Sequence, residues 1–401
     1  MISFSYFIKK IKDVNGKDIA AAIPMLAALA VTPFFRSRYS KTWLVCEERN
    51  EARDNGYHFF RYLCRNQEQQ DCYYAISPKC KDYEKIKALG KTVNYGSIKH
   101  WILYFASQYN ISSQKGGKPN AALCSFFELN NVFHPRNVFL QHGVTKDKND
   151  WLMAKKCRFD YFVTATQSEY EFVKKAFGYD PDIVHFTGFP RFDNLHDNNV
   201  VKNRIIIMPT WRKWLRLRSE KNTRLGDDIV TSDFMSNWLL LLNSGNFAQL
   251  IEKYKLEVFF YPHRAMQPFL RDFKLENKNI KLASVDEYDM QELMKSACMM
   301  ITDYSSVYFD MFYMKKPVIF YQFDEEEFRK YHYEEGWFDY HNNPFAKSYS
   351  SYKDVLTELE NIIHADYKVS ETFLKAHRKE FVLFDDNNSE RIYRDLAEKF
   401  V

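Results

Sequence analysis

The chain has 401 residues, enough for two or three domains that each bury a core of their own. Lys and Arg number 57 against 52 Asp and Glu, a net charge of +5. That mild excess suits an anionic partner and lacks the concentrated basic footprint of a nucleic-acid-binding domain. Seven cysteines form no C-x-x-C pair, and an odd number in so long a chain points to reduced thiols in a cytosolic compartment. The first twelve residues lack the basic, apolar and small-residue layout of a secretory signal. Aromatics reach 17%, a surplus compatible with nucleobase stacking or an interfacial surface.

In chain order, the first notable segment is Ile19 to Phe35, apolar but interrupted by Pro24 and Pro33. Lys9, Lys10, Lys12 and Lys17 precede it, and Arg36, Arg38 and Lys41 follow. At 17 residues it is short for a span of about 20, so a buried helix and a monotopic segment on the cytoplasmic leaflet stand beside a span. From Trp43 onward, short apolar runs alternate with helical spacing. Strands are expected at Trp43–Cys46, Cys72–Ile76, Asn110–Ser113, Asn137–Leu140, Tyr161–Thr164 and Ile183–Thr187, with helices such as Asn55–Arg65 and Glu169–Phe177 between them. A polar linker, Asp193 to Asn203, precedes a second run. There, strands are expected at Arg204–Met208, Val258–Tyr261, Ile280–Ala283, Met299–Thr302 and Val318–Tyr321, with helices at Ser232–Leu242 and Met290–Ser296. Such alternation means α/β architecture with parallel sheets. A last helical pattern covers Asn388–Phe400.

Chemistry in such sheets sits at the carboxyl ends of strands. Five polar turns stand there. Leu140-Gln141-His142-Gly143 offers a general base, with Gly143 allowing close backbone approach. Gly188-Phe189-Pro190-Arg191-Phe192-Asp193 ends in a cation and an acid beside the linker. Pro209-Thr210-Trp211-Arg212 pairs a hydroxyl with a guanidinium suited to phosphate. Pro262-His263-Arg264 ends the next strand. Asp303-Tyr304-Ser305-Ser306 opens a helix, where free backbone N–H groups favour an anion. Taken singly, each has a bland reading as a cap or turn; together they describe one site. Asp180-Pro-Asp182 precedes a strand and reads as a plain turn rather than a metal ligand pair, so no metal site is expected. Asp324 to Glu327 reads as a solvated helix start. The basic, aromatic stretch Arg212 to Arg218 reads either as a solvated face or as a contact for phosphates or a membrane surface.

These turns, with Asp310, Lys316-Pro317 and Phe320-Tyr321 after the D-Y-S-S, resemble the CDP-glycerol glycerophosphotransferase family of teichoic acid primases, polymerases and related capsule polymerases. Trp43-Leu44-Val45 and Asp54-Asn55-Gly56-Tyr57 extend the likeness over roughly residues 43–330. The resemblance implies a GT-B-like fold, two Rossmann-like domains facing a central cleft. It places an acceptor domain at 42–196 and a CDP-donor domain at 204–385; the residues themselves suggest a membrane-associating segment at 1–41 and a carboxyl-terminal helix at 386–401 packing back on the first domain. It implies catalytic roles for His142 and His263. Donor contacts would come from Thr210, Arg212, Arg264, Asp303, Ser305, Ser306 and Asp310, and Asn55, Gly56, Gly143, Arg191 and Asp193 would lie on the acceptor or hinge side.

The implied reaction moves glycerol phosphate from CDP-glycerol to a lipid-linked or polymeric hydroxyl and releases CMP, at the cytoplasmic face of the membrane. No tightly bound cofactor and no nucleic acid partner is implied. Rival readings are a CDP-ribitol donor, a nucleotide-sugar glycosyltransferase of the same fold, and a peripheral membrane scaffold without activity. Two departures from the family pattern, Gln141 where a tryptophan is usual and Val144 where a threonine is usual, suggest an altered acceptor pocket.

Overall fold

The computed structural model describes residues 16–133, 135–197, 199–215, 232–267 and 273–398. Lys9, Lys10 and Lys12, the distal part of the basic loop at 216–218 and the last residues of the carboxyl-terminal helical pattern therefore lie outside the described residues. The chain divides into two compact units. The first gathers residues up to His142, Asp150–Asp193 and the stretch from Asp385 on; the second takes Gly143–Asn149 and Asn194–Phe384.

The first unit is built on a seven-stranded parallel sheet in the order β3-β2-β1-β4-β5-β6-β7. Its strands are β1 Trp43–Cys46, β2 Cys72–Ile76, β3 Lys91–Asn94, β4 Tyr109–Ser112, β5 Asn137–Phe139, β6 Tyr161–Thr164 and β7 Val184–Phe186. The second unit holds a six-stranded parallel sheet in the order β10-β9-β8-β11-β12-β13. These are β8 Arg204–Met208, β9 Glu257–Phe260, β10 Ile280–Leu282, β11 Met299–Thr302, β12 Val318–Tyr321 and β13 Ala346–Tyr349. Central strands such as Trp-Leu-Val-Cys of β1 and Met-Met-Ile-Thr of β11 are buried at every residue, as a sheet covered on both faces requires.

Strands β3 and β13, both at sheet edges, were not expected from the sequence. Lys-Thr-Val-Asn buries only Val93 and Ala-Lys-Ser-Tyr fully buries no residue, so neither has the apolar run that marks an inner strand. The prolines also act differently than anticipated. The helix Gly16–Tyr39 runs through Pro24 and Pro33 without ending. One face packs Met25, Ala28 and Tyr39 into a core with Trp101, Leu103 and Tyr104. The other leaves Ile19, Ile23, Leu26 and Phe34 exposed, up to 84% at Phe34. The helix is therefore half-embedded in the first unit, neither a buried core helix nor a free-standing one.

Two sequence assignments are redirected by packing. Asp193 lies not in a free linker but at the start of the carboxyl-terminal helix Asn388–Glu398. Its Oδ1 accepts from the Asn388 N–H at 2.8 Å and its Oδ2 from the Ser389 N–H at 3.0 Å. Gly188 approaches Asn388 so closely that a Cβ there would collide with its side chain, and it holds φ +79°. Asp324 is not solvated either, since its carboxylate holds the Arg212 guanidinium. Replacing Asp193 with Ala removes the side-chain acceptors of two backbone N–H groups at that helix start and should cost about 0.5–2 kcal/mol. A lowered melting temperature in thermal denaturation checks this; an unchanged one would show that the helix is held by its apolar face alone.

Candidate active site

In the first unit, the sheet order sets the ends of β1, β4 and β5 side by side. After β5 the chain turns sharply. Gln141 takes φ +61°, a left-handed conformation costly for a residue with a side chain, and His142 follows. Asn55 secures that turn, its amide donating to the carbonyls of Gln141 at 2.7 Å and Leu140 at 3.3 Å. The same Asn55 accepts the Arg191 N–H at 3.1 Å. Asn55 is therefore a buried clamp between two motif loops.

Asp54 caps the helix Asn55–Asn66 and divides its two oxygens. Oδ1 accepts the Asn55 N–H at 2.8 Å and Arg191 Nη1 at 3.1 Å. Oδ2 lies 2.6 Å from His142 Nδ1. Arg191 Nη1 also donates to the His142 carbonyl at 2.8 Å. A carboxylate at Nδ1 fixes the tautomer that leaves Nε2 as the basic nitrogen, accessible to a substrate hydroxyl. Desolvation draws the His142 pKa down, while the charge and hydrogen bond of Asp54 draw it up. The His142 side chain is 65% exposed, so the carboxylate prevails and the pKa lies above the ordinary 6.5. For Asp54, burial opposes the charge, but His142 and Arg191 outweigh it and hold the carboxyl below its usual range.

Glu47, at the end of β1, supports this arrangement from below. Its buried carboxylate accepts the N–H groups of Arg53 at 3.0 Å, Asp54 at 3.1 Å and Tyr57 at 2.7 Å. Burial first, then the charge of Asp54, push its pKa up to about 8. Gly56 is required by this contact, because a Cβ there would lie 2.8 Å from Glu47 Cγ. Gln141, expected to alter an acceptor pocket, is instead only 1% exposed and donates to the Val163 carbonyl and to Glu169. Val144 is likewise buried, in the second unit.

In the second unit, the ends of β8, β9 and β11 are neighbours, which draws three of the motif turns together. The His263 N–H donates to the Pro209 carbonyl at 3.1 Å, and the Thr210 N–H to Asp303 Oδ1 at 2.9 Å. The Ala265 N–H donates to His263 Nδ1 at 3.1 Å, so the proton of the neutral ring resides on Nε2. Ser305 and Ser306 are half-buried and Arg264 is exposed. The Thr210 hydroxyl is buried without a hydrogen-bond partner.

Arg212 does not serve as a phosphate fork. Its side chain has no exposed surface and grips Asp324 with Nε at 2.7 Å and Nη2 at 3.0 Å, and the Thr210 carbonyl with Nη1 at 2.8 Å. Nη1 also lies 2.9 Å from Asp303 Oδ2, close enough for an ion pair though too bent for a hydrogen bond. Desolvation works against this cation, and the two carboxylates overcome it and raise its pKa. Removing Arg212 would strand the carboxylates of Asp303 and Asp324 at a cost of about 3–5 kcal/mol. Asp303 and Asp310 are fully buried as well, so neither meets a donor directly. Burial pushes Asp303 up, partly offset by Arg212.

Gly143 opens the segment Gly143–Asn149, which packs within the second unit against the loop around Gly336-Trp337. Trp337 donates its backbone N–H to the Lys146 carbonyl and its ring N–H to the Thr145 carbonyl, each at 3.0 Å. Buried Asp147 sits between Lys146 and Arg329. Among the described residues, no group of three or more His, Cys, Asp or Glu is placed to hold a metal ion. Asp180 and Asp182 form a turn before β7, with the Ile183 N–H donating to the Asp180 carbonyl.

Comparison with known proteins agrees with this layout. The chain belongs to the CDP-glycerol:poly(glycerophosphate) glycerophosphotransferase family, whose sequence model matches residues 28–398. It is 30% identical over 365 residues to the minor teichoic acid biosynthesis protein GgaB of Bacillus subtilis, covering 89% of this chain and 39% of that one. It is 23% identical over 252 residues to the teichoic acid poly(glycerol phosphate) polymerase of the same organism, covering 58% of this chain and 31% of that one. The chain thus spans only about a third to two-fifths of these relatives. A structure of the wall teichoic acid polymerase TagF, a histidine-to-asparagine variant soaked with CDPG, shares its fold at a TM-score of 0.65 and 16% identity, over 100% of both chains. The architecture is GT-B-like, with two parallel α/β sheets.

Asp54 escaped the sequence reading as a site residue, because an acid before Asn-Gly at a helix start reads as an ordinary cap. It is a cap, and it also orients the histidine. Replacing Asp54 with Asn removes the charge that raises the His142 pKa. An NMR titration of the His142 ring should show its midpoint moving to lower pH; an unmoved midpoint would mean that the contact contributes little.

Proposed function

We propose that this protein transfers glycerol phosphate from CDP-glycerol to a hydroxyl of a lipid-linked or polyol-phosphate acceptor, releasing CMP, in the synthesis of a teichoic-acid-like or capsule-like polymer. Family membership supports the donor class, and the Asp54–His142 pair is the observation that carries the chemistry. His142 Nε2 takes the proton of the acceptor hydroxyl. The acceptor oxygen bonds to the phosphorus that bears glycerol, and the bond from that phosphorus to the bridging oxygen breaks. CMP leaves with that electron pair. His263 Nε2–H supplies a hydrogen bond suited to an oxygen of the pyrophosphate, with Ser305, Ser306 and Arg264 beside it. Positioning and charge stabilisation are most of what such a transfer demands.

As a base, His142 works only when neutral. Its raised pKa means that activity should climb with pH through a midpoint above 6.5. Over the same interval the imidazolium–Asp54 pair, formed at lower pH, is lost as a stabilising contact. CMP release measured with CDP-glycerol and a short glycerol-phosphate acceptor tests the reading, and His142→Ala should lower it by about 10²–10⁴-fold. Release from CDP-ribitol instead would keep the mechanism and change the polymer. Undiminished release by the variant would remove His142 from the role of base.

The helix Gly16–Tyr39 supports a peripheral site of action. Residues Asp18–Tyr39 are long and apolar enough to cross a bilayer. Because one face is committed to the first unit's core, however, the helix suits lying in the interface, with Ile19, Ile23, Leu26 and Phe34 in the lipid. Exposed Arg36, Arg38 and Lys41 would meet anionic headgroups. Ile23→Asp with Phe34→Asp should abolish sedimentation with anionic vesicles while CMP release from soluble substrates persists. Unchanged sedimentation would assign the membrane contact elsewhere.

A further inference from the structure

Six of the seven cysteines are buried, and Cys64 is the one left partly exposed. Among the buried thiols, Cys46, Cys157 and Cys298 donate to the carbonyls of Glu47 at 3.7 Å, Trp151 at 2.8 Å and Val201 at 3.3 Å. Burial pushes these three up, and Cys80 and Cys124 with them, so none of the five favours a thiolate. Cys64 faces another sulfur instead. Its Sγ lies 4.0 Å from that of Cys72, the first residue of β2. The hydrogen bond from the Cys72 thiol draws the Cys64 pKa down, against an opposing effect of burial. The same contact, with burial added, raises Cys72. The pair thus has a nucleophile at its outer member and a protonated thiol within. Gly90 leaves room for the outer sulfur, since a Cβ there would lie 2.7 Å from it.

A disulfide requires sulfurs about 2.05 Å apart. Cys64 stands in the last turn of the helix Asn55–Asn66, and only residues 65–71 join it to Cys72. Helix ends fray, so this short connection can supply the remaining approach. We propose that Cys64 and Cys72 form a redox modification site that a low-molecular-weight disulfide closes. The Cys64 thiolate attacks one sulfur of the small disulfide, forming a mixed disulfide and expelling one small thiolate. Cys72 then gives up its proton, and its sulfur attacks the Cys64 sulfur and expels the second small thiolate. Two protein thiols are oxidised, and one small disulfide is reduced to two thiols. In a reduced compartment the pair rests open, and it closes when small disulfides accumulate. The bond fastens one end of a helix whose other end carries Asp54 and Asn55, which hold the turn bearing His142. Nothing in this chemistry depends on the transfer reaction proposed above.

Incubation of the full chain with oxidised glutathione, followed by alkylation in denaturant and peptide mass analysis, tests the assignment. Wild type should lose two of its seven alkylatable thiols and yield a linked Cys64–Cys72 peptide that dithiothreitol opens. Cys72→Ala should stop at a glutathione adduct on Cys64, and Cys64→Ser should leave Cys72 unmodified. In the native protein without oxidant, iodoacetamide should react with Cys64 at least about tenfold faster than with any other cysteine. Melting temperatures equal to wild type guard against a folding defect in the variants, and the two wild-type measurements decide the matter even where a variant fails to fold. Seven free thiols after incubation would overturn the assignment. So would a linked peptide joining any other pair, a glutathione adduct on Cys64 that wild type never resolves, or faster alkylation at another cysteine.

Discussion

The contact between Asp54 and His142 is the constraint on which the first unit is arranged. One carboxylate joins three segments that are far apart in sequence: the helix start after β1, the turn after β5 and the loop after β7. That is feasible because the strand order makes the ends of β1 and β5 near neighbours across β4. The backbone around the pair is bought with unusual local choices, a left-handed Gln141, a side-chain-free Gly56 and a carboxylate, Glu47, committed to three backbone donors. Each is unfavourable alone. They make sense as a rigid mount for one exposed imidazole.

The second unit uses its charges in the opposite way. Arg212 is held between Asp303 and Asp324 in the interior, and so ties together the turns after β8 and β11. What remains at the strand ends is small and polar: two half-buried serines and a histidine with its proton on the outer nitrogen. Exposed Arg264 is the one motif arginine of this unit not built into the interior.

Much of this architecture was legible from apolar runs. Strands buried on both faces, such as Trp43–Cys46 and Met299–Thr302, have no alternative reading, and their order of appearance dictates a parallel sheet. Two of the four edge strands were invisible, because Lys91–Asn94 buries only Val93 and Ala346–Tyr349 fully buries no residue, whereas β7 and β10 were expected. At the site, residue type was legible but occupation was not. Arginine after Pro-Thr-Trp looks available for phosphate, and only three-dimensional packing reveals Asp303 and Asp324 already upon it. Likewise a capping aspartate looks complete at Asp54, since nothing in the sequence shows its second oxygen turned toward a histidine 88 residues away. Gln114 belongs to no motif and needed the fold to bring it beside His142.

The two-faced helix Gly16–Tyr39 bears on how the protein can be handled. Cutting the chain at residue 41 to remove an apolar segment would not yield a better-behaved core. Met25 and Ala28 cover Trp101, Leu103 and Tyr104, so deletion would exchange one sticky surface for another. The exposed stripe and the covered one are two sides of the same cylinder. Any soluble variant has to be made by repainting the outer side, residue by residue, while the inner side stays as it is.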